Sequence, residues 1–337
     1  MSPARKTQRV LEAAGLTLGV SHTFEVIGGN RDAVGTPLAG GLTDAYLRWT
    51  PTWQGCSKCG EFRAGYSAYS QTRPSTATDM QGLSSLTAPT FHRWRQAYYQ
   101  VSPVEGVRIK AGKVDANTEF AVVEAAGDLS NASAGLSPTL FTMPSYPDGA
   151  LSLNAFVIPA AGFSVGAGAY RTVEGGRYYV TEAGRRWQGS RPRRIAGGFW
   201  QQRNGPIHTS GTYITAEQTL ISRGAVRRLQ VFGRFSTADK TVAPASTHTF
   251  AGASWTGFNN RAADSAGIAV FRLSPVLEGL TSDTEVTFEA YYKVVLNSRL
   301  EAKLDLQRVQ RPGGVADGPS CLVVSLRLRF QLSTGKE

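Results

Sequence analysis

The sequence predicts an all-β chain, a closed antiparallel transmembrane β-barrel of about sixteen strands. Three observations predict it. Apolar and polar residues alternate with period two over runs of roughly ten residues. Clusters of Gly, Pro and Asn punctuate those runs. No run of about 18 apolar residues exists, so no transmembrane helix is expected, whereas a spanning strand needs only about ten residues, half of them polar.

Residues 1–14 read as an N-terminal segment with a short helix over Arg5 to Ala14, 15–332 as the barrel and 333–337 as a C-terminal tail. In the first strand Leu16, Leu18, Val20, His22, Phe24 and Val26 face away from Thr17, Gly19, Ser21, Thr23 and Glu25. Asp115 to Gly149 is rich in Ala, Ser, Asn and Pro and lacks alternation. It reads as a long ordered loop with short helical turns. Alternation is clearest near the C-terminus. Val286, Phe288, Ala290, Tyr292 and Val294 oppose Thr287, Glu289, Tyr291 and Lys293. Leu300, Ala302, Leu304 and Leu306 oppose Glu301, Lys303, Asp305 and Gln307. Leu322, Val324, Leu326, Leu328, Phe330 and Leu332 oppose Val323, Ser325, Arg327, Arg329 and Gln331. Turn signals lie at Gly28-Gly29-Asn30, Asn204-Gly205-Pro206, Asn259-Asn260 and Arg311-Pro312-Gly313-Gly314. Aromatic residues gather near strand ends, at Trp49 and Trp53, Trp94 with Tyr98 and Tyr99, Trp187 and Trp200, and Tyr291 with Tyr292. Girdles at two membrane interfaces have this form. The alternation also fits a soluble all-β carbohydrate-binding or capsid-like protein whose apolar face is a core.

Composition narrows the function classes. The chain has 337 residues, 41% hydrophobic and 18% charged, which excludes a disordered chain. Basic residues outnumber acidic ones 36 to 25, and 28 of the 36 are Arg, a rigid fork of donors. A basic start, Arg5-Lys6, is followed by no apolar stretch, because Glu12 and Thr17 interrupt Leu11 to Val20, so no export signal is visible. Cys56, Cys59 and Cys321 are too few for a disulfide framework. Cys56 and Cys59 read as a local disulfide or idle thiols in a turn. His22, His92, His208 and His248 are scattered, so no metal site and no cofactor are expected. Arg185, Arg186, Arg191, Arg193 and Arg194 form a basic cluster. It reads as contacts to anionic lipid headgroups or acidic lumen groups rather than to nucleic acid. Glu285 and Glu289 share a strand face about 13 Å apart, too far for paired acid–base glycoside chemistry, and no enzyme activity is expected.

Particular residues carry a resemblance. Gly112-Lys113-Val114-Asp115-Ala116-Asn117-Thr118-Glu119-Phe120-Ala121 resembles a signature of the carbohydrate-selective porins, the OprB-type family. The resemblance continues through Asn131 to Pro138, Pro144 to Ala150, Ala167 to Tyr170, Leu229 to Ser236 with Ala238-Asp239, and Glu285, Glu289 and Tyr291. It closes on Asp305-Leu306-Gln307, Arg311 to Gly314 and Leu326 to Phe330, and covers residues 15 to 332 in order. The chain departs from the family in its short length, in its invisible export signal and in the five residues, Ser333 to Glu337, that follow its last strand. The resemblance implies an outer-membrane channel for passive diffusion of sugars and other small hydrophilic solutes, set in outer-membrane lipid, as a monomer or homotrimer.

Parity then nominates a channel lining. Arg108, Lys110, Glu289, Lys293, Lys303, Arg327 and Arg329 face inward, and Arg234 joins them. Lys113, Asp115, Asn117 and Glu119 begin the long loop, which by resemblance narrows the barrel. Asp115 and Asn117 also suit the capping of a turn. Donors and acceptors in this arrangement replace the hydration of a passing sugar weakly enough to release it.

Overall fold

The computed structural model describes residues 14–30, 37–51, 59–73, 75, 77–172, 175–223, 227–257, 261–276 and 283–334. The helix expected over 5–14 (but for Ala14), Trp53, Cys56, Asn259-Asn260 and residues 335–337 lie outside them. Cys59 is disulfide-bonded.

The first eight strands are β1 (Leu16–Gly29), β2 (Leu38–Trp49), β3 (Glu61–Gln71), β4 (Phe91–Val101), β5 (Val107–Val114), β6 (Ala150–Val157), β7 (Phe163–Arg171) and β8 (Arg177–Trp187). The second eight are β9 (Arg193–Asn204), β10 (Ile207–Arg223), β11 (Arg227–Ala238), β12 (Ala245–Thr256), β13 (Ser265–Pro275), β14 (Glu285–Asn297), β15 (Leu300–Gln310) and β16 (Cys321–Ser333). Each pairs antiparallel with its sequence neighbours. β1 pairs with β16 from Gly19↔Ser333 to Gly29↔Val323, which closes the barrel and leaves no edge strand. The sixteen strands match the sequence expectation, and β16 runs on through Ser333, the first residue of the expected tail.

The pleat explains the two faces. Along β16, Leu326 on the outer wall is 47% exposed while its neighbour Ser325 on the inner wall is 3% exposed. The outer wall is a continuous apolar band that includes Phe24, Leu153, Ile214, Ile268, Phe288, Leu304 and Leu326. Such a band on a closed sheet suits lipid rather than water, so the soluble alternative loses its main support.

Two connections fold inward, not one. Residues 115–149 join β5 to β6, and residues 72–90 join β3 to β4; the second has no sequence expectation behind it. The long connection starts where Gly112 takes φ 130°, with room for no side chain, since a Cβ there would sit 2.3 Å from the Ala97 carbonyl oxygen. It then forms single 3-10 turns at Ala116–Thr118, Glu124–Ala126 and Pro138–Leu140 and one short helix, α1 (Ala132–Gly135). Polar residues cap three of the four starts. Asp115 accepts from the Asn117 N–H (3.0 Å), Asn131 from Ser133 (3.0 Å) and Ser137 from Thr139 (3.3 Å).

Apolar residues then fasten this connection to one side of the barrel. Phe120, Leu140 and Met143 pack with Tyr170, Tyr178 and Trp200 of β7, β8 and β9. Val123 and Leu129 pack with Phe232, Phe250 and Phe271 of β11, β12 and β13. Burial of each such large side chain contributes roughly 2 kcal/mol. The larger part of the core therefore lies inside the barrel, against β7 to β13, while Leu83 and Ala88 of the 72–90 connection form smaller clusters with Ile27, Val309 and Val323 and with Leu42, Tyr69 and Phe91.

Candidate functional site

Inward charges divide by what they meet. Five wall glutamates meet the inward connections. Glu285 accepts from the backbone N–H groups of Met80 (2.9 Å), Gln81 (3.1 Å) and Gly313 (2.6 Å). Glu289 accepts from Ser130 (2.5 Å) and Asn131 (3.2 Å). Glu182 accepts from the Ala121 N–H and the Tyr213 hydroxyl, both at 2.9 Å. Glu217 accepts from the Glu124 N–H (2.8 Å), and Glu25 from the Ser84 hydroxyl (2.5 Å). A buried loop must satisfy its backbone groups somewhere, and these carboxylates supply charge-assisted acceptors.

Wall cations serve the loop carbonyls in the same way. The Arg234 guanidinium, 2% exposed, donates to the carbonyls of Ala121 (3.1 Å), Gly135 (2.8 Å) and Ser133. Arg194 donates to the Val122 carbonyl (2.6 Å) and Lys303 to that of Asp128 (2.7 Å). Ala121 is held from both sides and takes φ 57°, a left-handed conformation that costs a non-glycine residue about 1 kcal/mol or more.

A second set meets open space. A cavity of about 430 Å³ near the chain-terminal end of the barrel is lined by Asp44, Tyr46, Arg63, Arg95, Arg299 and Arg329. A second cavity, of about 220 Å³, lies deeper and is lined by Asp44, Asp128, Lys293, Glu301, Arg327 and Arg329, with Lys303. The two share Asp44 and Arg329. Both lie along β1 to β4 and β14 to β16, the side opposite the packed loop. Arginine dominates the first cavity, which faces Asp44 alone among carboxylates; the second carries both signs.

The nominated residues fall into four groups. Lys293, Arg327 and Arg329 line the deeper cavity. There Lys293 donates to Asp128 (2.5 Å) and Arg327 to Glu25 (2.8 Å), while Arg329 stays 3.8 Å from Glu301. Arg108 and Lys110 both pair with Glu119, the former at 2.7 Å, and lie over the rings of Phe156 and Tyr98 at 4.1 Å each. Lys113 pairs with Asp148, which also accepts from Arg93 (3.1 Å). Asp115 and Asn117 build the first turn of the loop, and burial pushes the Asp115 carboxyl up. Arg234 and Glu289 face inward, but the loop backbone covers them.

The nominated set leaves out Asp44, Arg63 and Arg95. A β-bulge explains Arg95: against β3 the register passes from Gln96 to Trp94, leaving Arg95 as the extra residue. Parity reverses there, so Arg93 and Arg95 turn inward as well as Gln96 and Tyr98. Asp44 and Arg63 sit in ordinary register, and the alternation of β2 and β3 could have found them.

The basic cluster splits by the same pleat. Inside, Arg186 pairs with Glu124 (2.6 Å) and Arg194 with Glu182 (3.0 Å). Outside, Arg185 and Arg193 stack on Trp187 at 4.8 and 4.2 Å. In the 72–90 connection, burial first and then the charge of Glu285 push Asp79 up to about 7.

Comparison with known proteins accords with this architecture. Among curated proteins no sequence matches. The Pseudomonas putida OprB structure at high pH superposes with a TM-score of 0.85 over 97% of this chain and 96% of that one, at 16% identity. Its low-pH structure gives 0.70 over 98% of each, at 17% identity. An anion-selective porin from Comamonas acidovorans gives 0.61 over 94% of this chain and 99% of that one, at 14% identity. At these identities the likeness is one of fold. In sequence, residues 172–332 match the family described as carbohydrate-selective porin, OprB family. Over that stretch, a little under half of the chain, the sequence is similar to the carbohydrate-selective porin family.

Proposed function

We infer that this chain is an outer-membrane porin through which carbohydrates and other small hydrophilic solutes diffuse passively. The observation that carries the reading is the pair of adjoining cavities along β1 to β4 and β14 to β16, lined by charged donors and acceptors of both signs. Hydroxyl-rich solutes exchange hydration for such contacts without being trapped. Passage requires no bond chemistry, which fits a channel rather than an enzyme.

Lys293, Arg327 and Arg329 are the nominated residues best placed to touch solute, together with Asp44, Arg63 and Arg95. Arg108, Lys110, Lys113 and Glu119 shape the narrowing indirectly, through the position of the loop. One chain lines both cavities, so a monomer suffices for conduction, whether or not three copies assemble.

Planar-bilayer recording tests this. The purified protein should conduct ions, and a graded series of mono- to trisaccharides should reduce the conductance reversibly. Absence of conductance from heat-modifiable, folded protein would overturn the channel. Conductance indifferent to every sugar in the series would overturn the carbohydrate reading.

A further inference from the structure

On the outer wall, three arginines stand side by side where lipid is expected. Arg171, Arg177 and Arg203 end or begin β7, β8 and β9, and they are direct register partners: Arg171↔Arg177 and Arg177↔Arg203. His208 of β10 continues the row opposite Arg203. All four are exposed, and they share strand parity with the outward residues Ala169, Tyr179, Phe199 and Ile214. Residues directly opposite on neighbouring strands have Cβ atoms about 5 Å apart, where like charges repel. Among the described residues, no carboxylate pairs with any of the three arginines. The connection between β7 and β8 contains one acidic residue, Glu174, so the row is net positive in any case.

A groove lies directly beneath. It has a volume of about 580 Å³ and is lined by Leu151, Leu153, Ala169 and Tyr179 as well as Arg171 and Arg177. Register explains its shape. Ala169 pairs with Leu153 on one side and Tyr179 on the other, so a small residue forms the floor between two large walls. Leu151 and Leu153 are about 60% exposed, unusually open even for this wall. The row lies at the end of the barrel that carries the 72–90 and 115–149 connections, opposite the chain termini. In outer-membrane barrels the longer loops mark the extracellular end.

We propose that the Arg171–Arg177–Arg203 row, with the groove below it, is a binding site for a phosphate-bearing lipid of the outer leaflet. The guanidinium forks take the phosphate, and the groove takes an acyl chain. Guanidinium matches phosphate with paired, charge-assisted hydrogen bonds, and an anion between the arginines removes their mutual repulsion. Three strand gaps separate β7 from β10, roughly 14 Å, so the row spans more than one phosphate group. The proposal rests on the outer wall facing lipid; it is independent of which solute passes through the lumen.

Native mass spectrometry of the detergent-solubilised protein tests it. The probes are a bisphosphorylated glucosamine lipid, the same lipid dephosphorylated, and inorganic phosphate. Each arginine near an anionic lipid surface contributes roughly fivefold. The triple variant Arg171→Gln/Arg177→Gln/Arg203→Gln should therefore bind the phosphorylated lipid about a hundredfold more weakly. The dephosphorylated lipid should bind wild type weakly and lose little in the variant. Ala169→Leu, which fills the groove floor, should weaken the lipid but leave inorganic phosphate unchanged. Equal lipid binding by wild type and triple variant would overturn the proposal. So would inorganic phosphate binding as tightly as the lipid, which would make this a free-anion site. Loss of an oligomer in the lipid-free triple variant would reassign the row to contact between copies. Bilayer conductance of the triple variant reports folding separately, so failure of the lipid site is distinguishable from failure of the porin reading.

Discussion

Along β8 to β13 the inward charges of Glu182, Glu217, Arg194 and Arg234 meet loop backbone, while across the lumen those of Asp44, Arg63, Arg95 and Arg329 meet a cavity. The residue types are the same. What differs is the apolar supply of the loop. Phe120, Leu140, Val123 and Leu129 find most of their aromatic partners on the β7 to β13 side. Once they dock there, backbone groups are buried and the nearby charges become their hydrogen-bond partners. Charges on the far side remain hydrated. A charged residue in a barrel lumen is therefore either an anchor or a lining group according to where the loop's apolar residues settle.

Removing an anchor should have the largest effect. Arg234→Ala strips donors from the carbonyls of Ala121, Ser133 and Gly135 and leaves the strained Ala121 held by Glu182 alone. A loss of about 3 kcal/mol or more is expected in denaturant unfolding in detergent. Single-channel current should become noisy as the loop leaves the wall. A quiet channel with unchanged stability would show that apolar packing alone holds the loop.

Glu289→Gln is milder because the shape is kept. The amide still accepts from Ser130 or Asn131, but it turns a donor toward the other N–H. A loss of about 2 kcal/mol is expected, measured in the same way. An equal loss in Glu301→Gln, beside the open cavity, would erase the distinction between anchor and lining group.

The barrel and its long loop were legible in the sequence because both rest on local signals. Alternation along β1, β14, β15 and β16 needs only a period of two, and Gly112, Asp115 and Asn131 mark the loop's turns by their chemistry. The roles of the charged residues were less legible. Strand parity places Arg234 and Arg329 alike in the lumen, and only the loop's docked position separates the buried anchor from the cavity wall. Arg95 is hidden for another reason, because a bulge changes its parity without any Gly or Pro to announce it. The 72–90 connection carries no alternation and few large apolar residues. Its inward fold draws on Glu285 and Glu25, about two hundred and sixty residues apart in a chain that closes on itself, and on Leu83 and Ala88 packed against the wall.

That second connection contains a carboxyl expected to respond near neutral pH. Asp79 is half-buried, its Oδ2 is shielded and unpartnered, and it lies in the field of Glu285, whose carboxylate is committed to Met80, Gln81 and Gly313. Its folded pKa of about 7 lies above the ordinary carboxylate value, so folding favours the protonated form. The associated stability is fully present below about pH 4 and is lost as pH rises through about 7. Discounted for partial exposure, it is on the order of 1 kcal/mol. Unfolding measured at pH 5.5 and 8.5 should show the difference in wild type, and Asp79→Asn should flatten it. A slope that survives in Asp79→Asn would place the titrating group elsewhere.

On the open side the expected signature is function without stability. Arg329 is exposed, lies 3.8 Å from Glu301, and borders both cavities. A solvated pair of this kind contributes about 0–1 kcal/mol. Arg329→Gln should therefore leave unfolding within about 0.5 kcal/mol of wild type. It also removes a cation from the junction of the two cavities, where Asp44 remains as a carboxylate. Reversal potentials across a salt gradient should shift toward cations, and sugar block should weaken if the guanidinium donates to passing hydroxyls. The two readouts separate charge from hydrogen bonding, because Arg329→Lys keeps the first and loses the forked geometry of the second. If Arg329→Gln changed stability as much as Arg234→Ala while leaving selectivity untouched, Arg329 would be an anchor, and the division of the lumen into a covered and an open wall would fail at its best-exposed residue.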